Sequence, residues 1–383
     1  MTRLQKAALG FLTAVAIALT AAIGWLYTTK WQTPLGPPLQ LPTQTPFQLA
    51  ATWTPDAHAT GTAGASSVNL VKNSVIASVT PSPSPVCGAE PLMYILLIGS
   101  DSRGDSYQYG LADVIRIARV DFVNATVTVL EFPRDLWVEI PDIADNLNGQ
   151  DHEKLNQAYL YGNPGFGYTT DPAQGPGLLA RTLALNFGTR IDHYAAVNMR
   201  TFVNIVNAVG GIDVYLPEPV DGRTADDLNS RLVFPAGHLH LMGDRALTLA
   251  RIRIEGGFVR TENQNRVLCA LRDQLISPAI VENIPALIQS FKDNIQTDLS
   301  PEQISQLACI GTKIKPGDIR FADFPEELFN VTREYDAVFD KNVSILKTDF
   351  DILREYVAQF NEGTWPPLTS APENSRGEVS FCP

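Results

Sequence analysis

Three apolar, strand-like segments within residues 94–135 are bordered by charged side chains, in the sequence YILLIGSDSRGDSYQYGLADVIRIARVDFVNATVTVLEFPRD. Asp101 follows the first segment, Asp113 opens the second and Arg134 follows the third. If the segments pair as neighbouring strands, these groups meet at one end of a sheet. Two carboxylates beside arginines suit Mg²⁺, which usually takes one or two protein carboxylates together with phosphate oxygens. Taken alone, the stretch favours a plainer interpretation, surface acids paired with arginines, because such ion pairs are common.

Two further groups of side chains could bind phosphate. Arg251 and Arg253 flank one isoleucine, so in an extended segment their guanidinium groups share a side and repel each other unless an anion joins them. Arg260 and Gln264 are four residues apart and share a helix face near an N-terminus that favours anions. The alternatives are a solvated edge strand and a solvent-facing first helical turn.

Other chemistries find little support in the sequence. His238 and His240 alternate along a strand, and His193 stands alone, but no cysteine or carboxylate lies near them at zinc-ligand spacing. We interpret these histidines as structural. The sequence contains no G-x-S-x-G elbow, P-loop or G-x-G-x-x-G motif, which argues against a serine hydrolase or a nucleotide-binding protein.

The charge balance also restricts the partners. The chain has 383 residues and a formal net charge of −12. A nucleic-acid partner would require a basic face, so we expect none. Any phosphate binding must come from a local cluster of arginines.

The N-terminus carries an uncharged apolar run that begins at Ala7 and ends at Tyr27, preceded by Arg3 and Lys6. As a helix this run would span about 31 Å, close to the roughly 30 Å hydrocarbon core of a bilayer. The leading cations favour a cytoplasmic N-terminus. We therefore predict a single-pass membrane anchor with the remainder outside the cytoplasm. A cleaved secretory signal is the alternative, and it places the remainder on the same side.

The rest of the chain divides by composition. Residues 1–31 form the predicted cytoplasmic stub and anchor, and residues 32–86, rich in Pro, Thr and Ser, a disordered linker. Residues 87–360 form the predicted globular domain, and residues 361–383 a tail. Predicted strands cover residues 93–99, 113–121, 125–132, 193–197 and 212–216, and predicted helices cover residues 178–186, 200–209, 242–250, 260–275, 284–295, 301–310 and 349–360. This alternation indicates an α/β or α+β sandwich with a mixed sheet.

The four cysteines allow three pairings if all are oxidised. We predict Cys269–Cys309 and Cys87–Cys382, since an extracytoplasmic compartment permits disulfides.

Several of these segments occur together in an order that closely resembles the LytR-CpsA-Psr family. The order is IGSDSR, a second Asp twelve residues after the first, FPRD, KLNQAY, IDHY, VGGIDVYLP, ARIR and RTENQ. The resemblance is strong over residues 91–275 and weaker to about residue 360. It implies a three-layer α/β/α sandwich with a mixed sheet and an apolar pocket for a lipid chain. One N-terminal membrane helix followed by a linker also resembles that family.

The resemblance further implies a phosphotransferase of the cell membrane. Its donor would be a glycopolymer on a polyprenyl pyrophosphate lipid, its acceptor a hydroxyl of peptidoglycan or another wall component, and its product a phosphodiester. Matched by position, Asp101 and Asp113 would hold Mg²⁺ on the pyrophosphate. The residues implied to line the phosphates are Arg103, Arg134, Arg251, Arg253, Arg260 and Gln264, with Lys154 nearby.

Three positions depart from the family pattern. Leu111 and Asn263 stand where the family commonly has arginines, and Gly257 stands where it has an aspartate proposed to act as base. Glu255 or Glu262 could substitute for that base, or the metal could lower the pKa of the acceptor hydroxyl. The lost base supports a competing hypothesis, a non-catalytic module that binds polyprenyl phosphates or wall polymer. A third hypothesis is a pyrophosphatase that hydrolyses the lipid.

Overall fold

Fifteen short strands and eight α-helices make up the part of the chain that the computed structural model describes, which is residues 3–41, 84–102, 107, 109–252, 257–277, 294–367 and 380–381. The strands are β1 (Leu92–Ser100), β2 (Ala112–Asp121), β3 (Thr126–Glu131), β4 (Trp137–Glu139), β5 (His152–Lys154), β6 (His193–Asn198), β7 (Ile212–Leu216), β8 (Val220–Asp221), β9 (Val233–Phe234), β10 (Gly237–Leu241), β11 (Ile295–Thr297), β12 (Ile319–Asp323), β13 (Asn330–Asp336), β14 (Lys341–Lys347) and β15 (Ser380–Phe381). The helices are α1 (Arg3–Leu26), α2 (Leu155–Gly162), α3 (Gln174–Phe187), α4 (Met199–Ala208), α5 (Gly243–Arg251), α6 (Gly257–Leu275), α7 (Pro301–Gly311) and α8 (Phe350–Glu362).

The central sheet is mixed, as predicted. Its strand order is β11-β6-β1-β2-β3-β12-β15. β1 is parallel to β6 and β3 is parallel to β12, while β2 runs antiparallel to both β1 and β3. The ends of β1, β3, β6 and β12 and the start of β2 therefore lie along one edge of the sheet, and we call this the functional edge.

Apolar side chains leave both faces of the sheet, because successive residues of a strand point to opposite sides. Ile115 and Ile117 belong to a cluster that includes buried residues of α2, α3 and α8. Ala118 and Val120 belong to a second cluster with residues of α6 and α7. A third cluster joins β7, β10, α4 and α5 to part of α6. Both faces of the sheet are thus covered, which matches the predicted mixed α/β fold.

Local sequence signals explain several helix ends. Gly188 ends α3 with a left-handed conformation (φ 67°), which glycine adopts without a steric penalty. Ser300 and Gln303 form a capping box at the start of α7, and Pro301 occupies its first turn. Arg251 differs from expectation, because it is the last residue of α5 and does not belong to an extended segment.

The N-terminal segment is helical over Arg3–Leu26 and continues as a π-helical turn over Tyr27–Trp31. In the described part of the chain, no helix has the length and apolarity that a membrane crossing requires. The side chains of Ala7 and its successors up to residue 12 lie outside the described set. The start of the predicted linker lies against the domain, since Leu35 N donates to Leu299 O (3.2 Å) and Tyr194 Oη donates to Pro37 O (3.1 Å).

The disulfide pairing differs from both predictions. Cys87 is bonded to Cys309, and Cys269 is also disulfide-bonded, while Cys382 lies outside the described residues. Cys87 lies in a 3-10 turn just before β1, where Gln306 of α7 donates to the Gly88 carbonyl (3.1 Å). The predicted pairs Cys269–Cys309 and Cys87–Cys382 are therefore wrong, because packing brings α7 beside this turn.

Candidate active site

An ion pair between β2 and the end of β3 forms the first part of the site. The register of these strands pairs Arg116 with Glu131, and Phe132 N donates to Ile115 O (2.9 Å) one step further. The same register continues to bring Arg134 opposite Asp113. The Arg134 guanidinium donates to the Asp113 carboxylate, and both side chains are about one-fifth exposed (20% and 21%).

The ion pair extends into a row of alternating charge. Arg134 Nε lies 3.3 Å from Asp135 Oδ2, and Lys154 Nζ lies 3.0 Å from Asp135 Oδ1. β4 and β5 position the lysine, because their register pairs Trp137 with Lys154. Burial acts to lower the pKa of Arg134, but the Asp113 and Asp135 carboxylates outweigh it and the pKa is raised. The charged row, Asp113–Arg134–Asp135–Lys154, is partly open to solvent and can reach a phosphate.

Asp101 lies at the same edge, beside the start of β2. The β1–β2 register shifts between Gly99 and Ser100, and this bulge places Asp101 opposite Leu111. Asp101 N donates to Leu111 O (3.0 Å), and Leu111 N donates to Asp101 Oδ1 (2.7 Å). The carboxylate is half-buried and held by its own neighbour across the strands. The two predicted metal ligands therefore occupy adjacent strand ends.

The end of β6 adds polar groups that the sequence did not single out. Ser100 pairs with Asn198, which caps α4 by accepting from Thr201 N (2.8 Å). The Tyr107 hydroxyl accepts from Asn198 N (3.2 Å), and burial raises the pKa of Tyr107, so this phenol stays protonated. Gly110 is required here, because a Cβ atom would lie 2.1 Å from Ser100 Oγ.

Of the remaining predicted ligands, the structure describes the side chains of Arg251 and Gln264. Arg251 is exposed at the end of α5. Gln264 is buried, with Oε1 accepting from Arg116 (3.2 Å) and Nε2 donating to Ala250 O (3.3 Å). The described residues do not include Arg103, Arg253 or the side chain of Arg260. Of the predicted ring of arginines, the structure therefore describes the side chains of Arg134 and Arg251.

A buried arginine beneath the site was not anticipated. The Arg116 side chain is 1% exposed and lies 2.5 Å from Glu131 Oε2. It also donates to Asn265 Oδ1 (2.7 Å) and Gln264 Oε1, which ties α6 to the sheet. Burial first, and Glu131 second, raise the pKa of Asp323 to about 7, while Arg116 opposes them. An arginine inside an apolar strand was the available signal, because buried charges need partners.

Two of the positions that depart from the family pattern lie on α6, and the third, Leu111, lies opposite Asp101 just before β2. Gly257 is the first residue of α6, and Asn263 is fully buried and accepts from Arg266 (3.3 Å). Glu262 is about half exposed and forms an ion pair with Arg266. Glu255 lies outside the described residues. The described carboxylates of α6, which are Glu262 and Asp273, are thus both paired with arginines.

The donor set at the functional edge suits a hard cation. Within the described part of the chain, no group of three or more His, Cys, Asp or Glu side chains converges as a metal site. Two carboxylates leave most of the coordination shell to water and phosphate, which is typical of Mg²⁺ and unlike an all-protein cage. Asp101 and Asp113 therefore fit this ion.

Comparison with known proteins gives named relatives. The chain is 29% identical over 208 residues to the polyisoprenyl-teichoic acid–peptidoglycan teichoic acid transferase TagV of Bacillus subtilis, covering 54% of this chain and 49% of TagV. It is 30% identical over 221 residues to the corresponding TagU transferase of Enterococcus faecalis, covering 56% of this chain and 64% of TagU. The chain thus spans about half to under two-thirds of these relatives.

Solved structures share the fold of this chain. The crystal structure of B. subtilis TagV superposes with a TM-score of 0.54 at 23% identity, covering 72% of this chain and 98% of TagV. That of B. subtilis TagT gives 0.52 at 20% identity, covering 73% and 97%. Both likenesses show a shared fold. Since the LytR_cpsA_psr family model matches residues 59–352, well over half of the sequence, the chain belongs to the LytR-CpsA-Psr family.

Proposed function

We propose that this protein transfers a glycopolymer from a polyprenyl pyrophosphate carrier to a hydroxyl of peptidoglycan or another wall acceptor. The observation that carries the proposal is the charged row beside Asp101, where three strand ends bring carboxylates and cations to one edge. The relatives named for moving teichoic acid from a polyisoprenyl carrier to peptidoglycan support the same class of substrates.

Arg134 and Lys154 bind and orient the phosphate oxygens in this mechanism. Asp135 accepts from both cations, so it holds them at a fixed separation before the substrate arrives. The acceptor hydroxyl oxygen forms a bond to the phosphorus that carries the sugar, and the bridging P–O bond breaks. Polyprenyl phosphate leaves, and its released oxygen takes up the proton that the hydroxyl loses. Phosphoryl transfer depends on positioning and charge neutralisation, which the row supplies.

Asp101 and Asp113 are the residues that would hold Mg²⁺, and the ion would neutralise charge on the pyrophosphate. Arg134 already donates to Asp113, so the arginine orients this carboxylate and also faces the phosphates. Removing one preorganised donor of this kind typically costs about 3–4 kcal/mol of barrier.

One observation favours a second candidate function, a non-catalytic module that binds polyprenyl phosphates or wall polymer. Gly257 replaces the family's proposed base, and Glu262 is engaged by Arg266. Such a module would bind the diphosphate without breaking its bridge.

Mg²⁺-dependent phosphate release from a short-chain polyprenyl pyrophosphate analogue distinguishes the two functions. The transferase predicts release that falls at least about 100-fold in Asp113→Asn. The matched control is Asp145→Asn, an exposed loop carboxylate, which keeps the wild-type rate. Binding of the analogue without release would support the module, and release in the absence of any acceptor hydroxyl would support the pyrophosphatase.

The proposed location is the outer side of the cell membrane, with α1 as the anchor. The disulfide between Cys87 and Cys309 supports an oxidising compartment. Protease added to intact, wall-stripped cells should cleave the domain but spare an N-terminal epitope tag. Full protection of the domain would refute this location.

A further inference from the structure

A cleft on the outer side of α8 is lined by residues that have no role in the proposed reaction. Its volume is about 680 Å³, within the range typical of small-ligand sites. Glu355, Tyr356 and Gln359 line it from one face of α8, and Thr364 and Trp365 line it from the segment that follows. This spacing puts the three helix residues within one turn of each other.

The two aromatic rings are held in place from behind. Phe324 is buried and stacks on Trp365 (centroids 6.1 Å apart, interplanar angle 19°). Tyr356 meets Trp365 edge-on at 5.0 Å. The Gln359 carbonyl accepts from Trp365 N (3.3 Å), which fixes the backbone that carries the indole. Both rings remain partly exposed and form a rigid aromatic wall. Because the rings are already held in place, a ligand that packs on them loses little free energy to ordering the side chains.

Three polar side chains of α8 in the cleft are unengaged, whereas the Thr364 hydroxyl donates to the Gln359 carbonyl (3.2 Å). Within the described part of the chain, the Glu355 carboxylate and the Gln359 side-chain amide form no hydrogen bond or ion pair, and neither does the Tyr356 hydroxyl. They offer a charged acceptor, an amide donor and acceptor, and a hydroxyl around the aromatic wall.

The charge of the cleft selects among ligand classes. None of the lining residues in the described part of the chain is basic, and Arg354 of the same helix donates to Asp351 (2.8 Å) and to the Asn186 carbonyl (2.8 Å). Glu355 would repel a phosphate, and a hydrocarbon chain would desolvate Glu355 and Gln359 without compensation. A neutral sugar satisfies all the groups, because its hydroxyls bond the polar side chains while its C–H face packs on the rings.

The cleft also lies toward the functional edge. Phe324 directly follows β12, whose last residue pairs with Glu131 at the end of β3. The same ring contacts Phe132 at 5.4 Å, two residues before Arg134. An aromatic path therefore runs from the strand end that carries Arg134 to the wall of the cleft.

We infer that the α8 cleft binds sugar residues of a neutral glycan segment while the pyrophosphate is held at the charged row. The inference rests on the proposed function for the source of the glycan, which is either the carrier-linked polymer or the wall acceptor. Recognition of the sugar itself depends only on the cleft.

Isothermal titration of the full-length protein in detergent with chitotetraose, maltotetraose and cellotetraose tests the inference. At least one of these neutral tetrasaccharides should bind, and the double variant Glu355→Ala/Gln359→Ala should weaken that binding about tenfold or more. Both changes lie on an exposed helix face and favour helix. Glu362→Ala, an exposed carboxylate of α8 outside the cleft, is the matched control and should bind as wild type.

Trp365→Phe gives a second variant that keeps a ring against Phe324, and it should also weaken binding. No binding by any of the tetrasaccharides, or undiminished binding in the double variant, would overturn the inference. Binding of a peptidoglycan stem peptide in place of all the sugars would overturn it as well.

Phosphate release from the sugar-free lipid analogue, with a small alcohol as the acceptor, separates this inference from the proposed function. The double variant should release phosphate at the wild-type rate, because that substrate does not reach the cleft. Sugar binding without phosphate release would refute the transferase function, while the inference that the cleft binds sugar would still hold. In the transfer reaction, a raised KM for the glycan-bearing donor identifies the polymer as the ligand, and a raised KM for the acceptor identifies the wall glycan.

Discussion

Replacing Arg116 with methionine should destabilise the domain strongly. The guanidinium is the cation beside Glu131, and it bonds the side-chain oxygens of Asn265 and Gln264. Removing one partner of a buried pair costs about 3–5 kcal/mol, because the other charge stays buried without compensation. Protonation of Asp323 offsets part of this cost. We expect a loss of about 4 kcal/mol, which corresponds to a melting temperature lower by about 10 °C.

The stability that Arg116→Met loses should depend on pH. Asp323 has a raised pKa of about 7, so the stability linked to its proton is present at low pH and is lost as the pH rises through that value. Arg116 opposes this shift, so its removal should make the deficit of the Arg116→Met variant larger at pH 8 than at pH 5. Thermal melts followed by circular dichroism at the two pH values measure the difference.

Two further variants show whether the loss arises from buried charge. Arg119→Met lies on the same strand, but Asp121 keeps hydrogen bonds to Val123 N and Asn124 N, so this control should lose about 1 kcal/mol. Arg116→Met/Glu131→Leu removes both charges and should recover much of the stability. An Arg116→Met variant no less stable than Arg119→Met, or a double variant no better than the single one, would refute this reasoning.

Three other predictions concern Arg134, the buried carboxyl group of Glu153 and the disulfide. Arg134→Lys should lower phosphate release about 100-fold, since an ammonium group lacks the planar fork that bridges its two carboxylates, and an unchanged rate would contradict its role. Burial, and secondarily Asp336, raise the pKa of Glu153 to about 8, so the stability this proton gives at low pH is lost as the pH rises through 8. Thermal melts from pH 6 to 9 should therefore fall in the wild type and stay flatter in Glu153→Gln, and parallel curves would argue against the assignment. Cys87→Ser/Cys309→Ser should cost about 2–5 kcal/mol in denaturant unfolding, because the bond closes a loop of 222 residues, and an unchanged midpoint would show that the loop is not restrained by it.

The functional edge was predictable because its residues sit at the ends of strongly apolar strands. Period and length identified β1 to β3, and the short loop between β2 and β3 made their antiparallel pairing the simplest arrangement. That pairing alone places Asp113 near Arg134. The predicted fold class followed from the same alternation of strands and helices.

Features that depend on tertiary packing were not predictable in the same way. Arg116 finds its partners on α6, far along the chain, so no local pattern identifies Asn265 or Gln264 as its acceptors. Gln264 shares a helix turn with Arg260, as the spacing indicated, but its amide is turned inward. The hairpin of β13 and β14 was missed because its alternation is largely polar and both strands are mostly exposed.

The strand order of the central sheet has a consequence for how this chain folds as it is synthesised. β3 gains its second neighbour only when β12 arrives, and the chain between Glu131 and Ile319 contains most of the domain. Until then the nascent chain has an apolar strand with one unpaired edge, which can pair with a strand of another molecule. We therefore expect a chain truncated before β12 to aggregate, because β12, which is synthesised late, covers the unpaired side of β3, which is synthesised early.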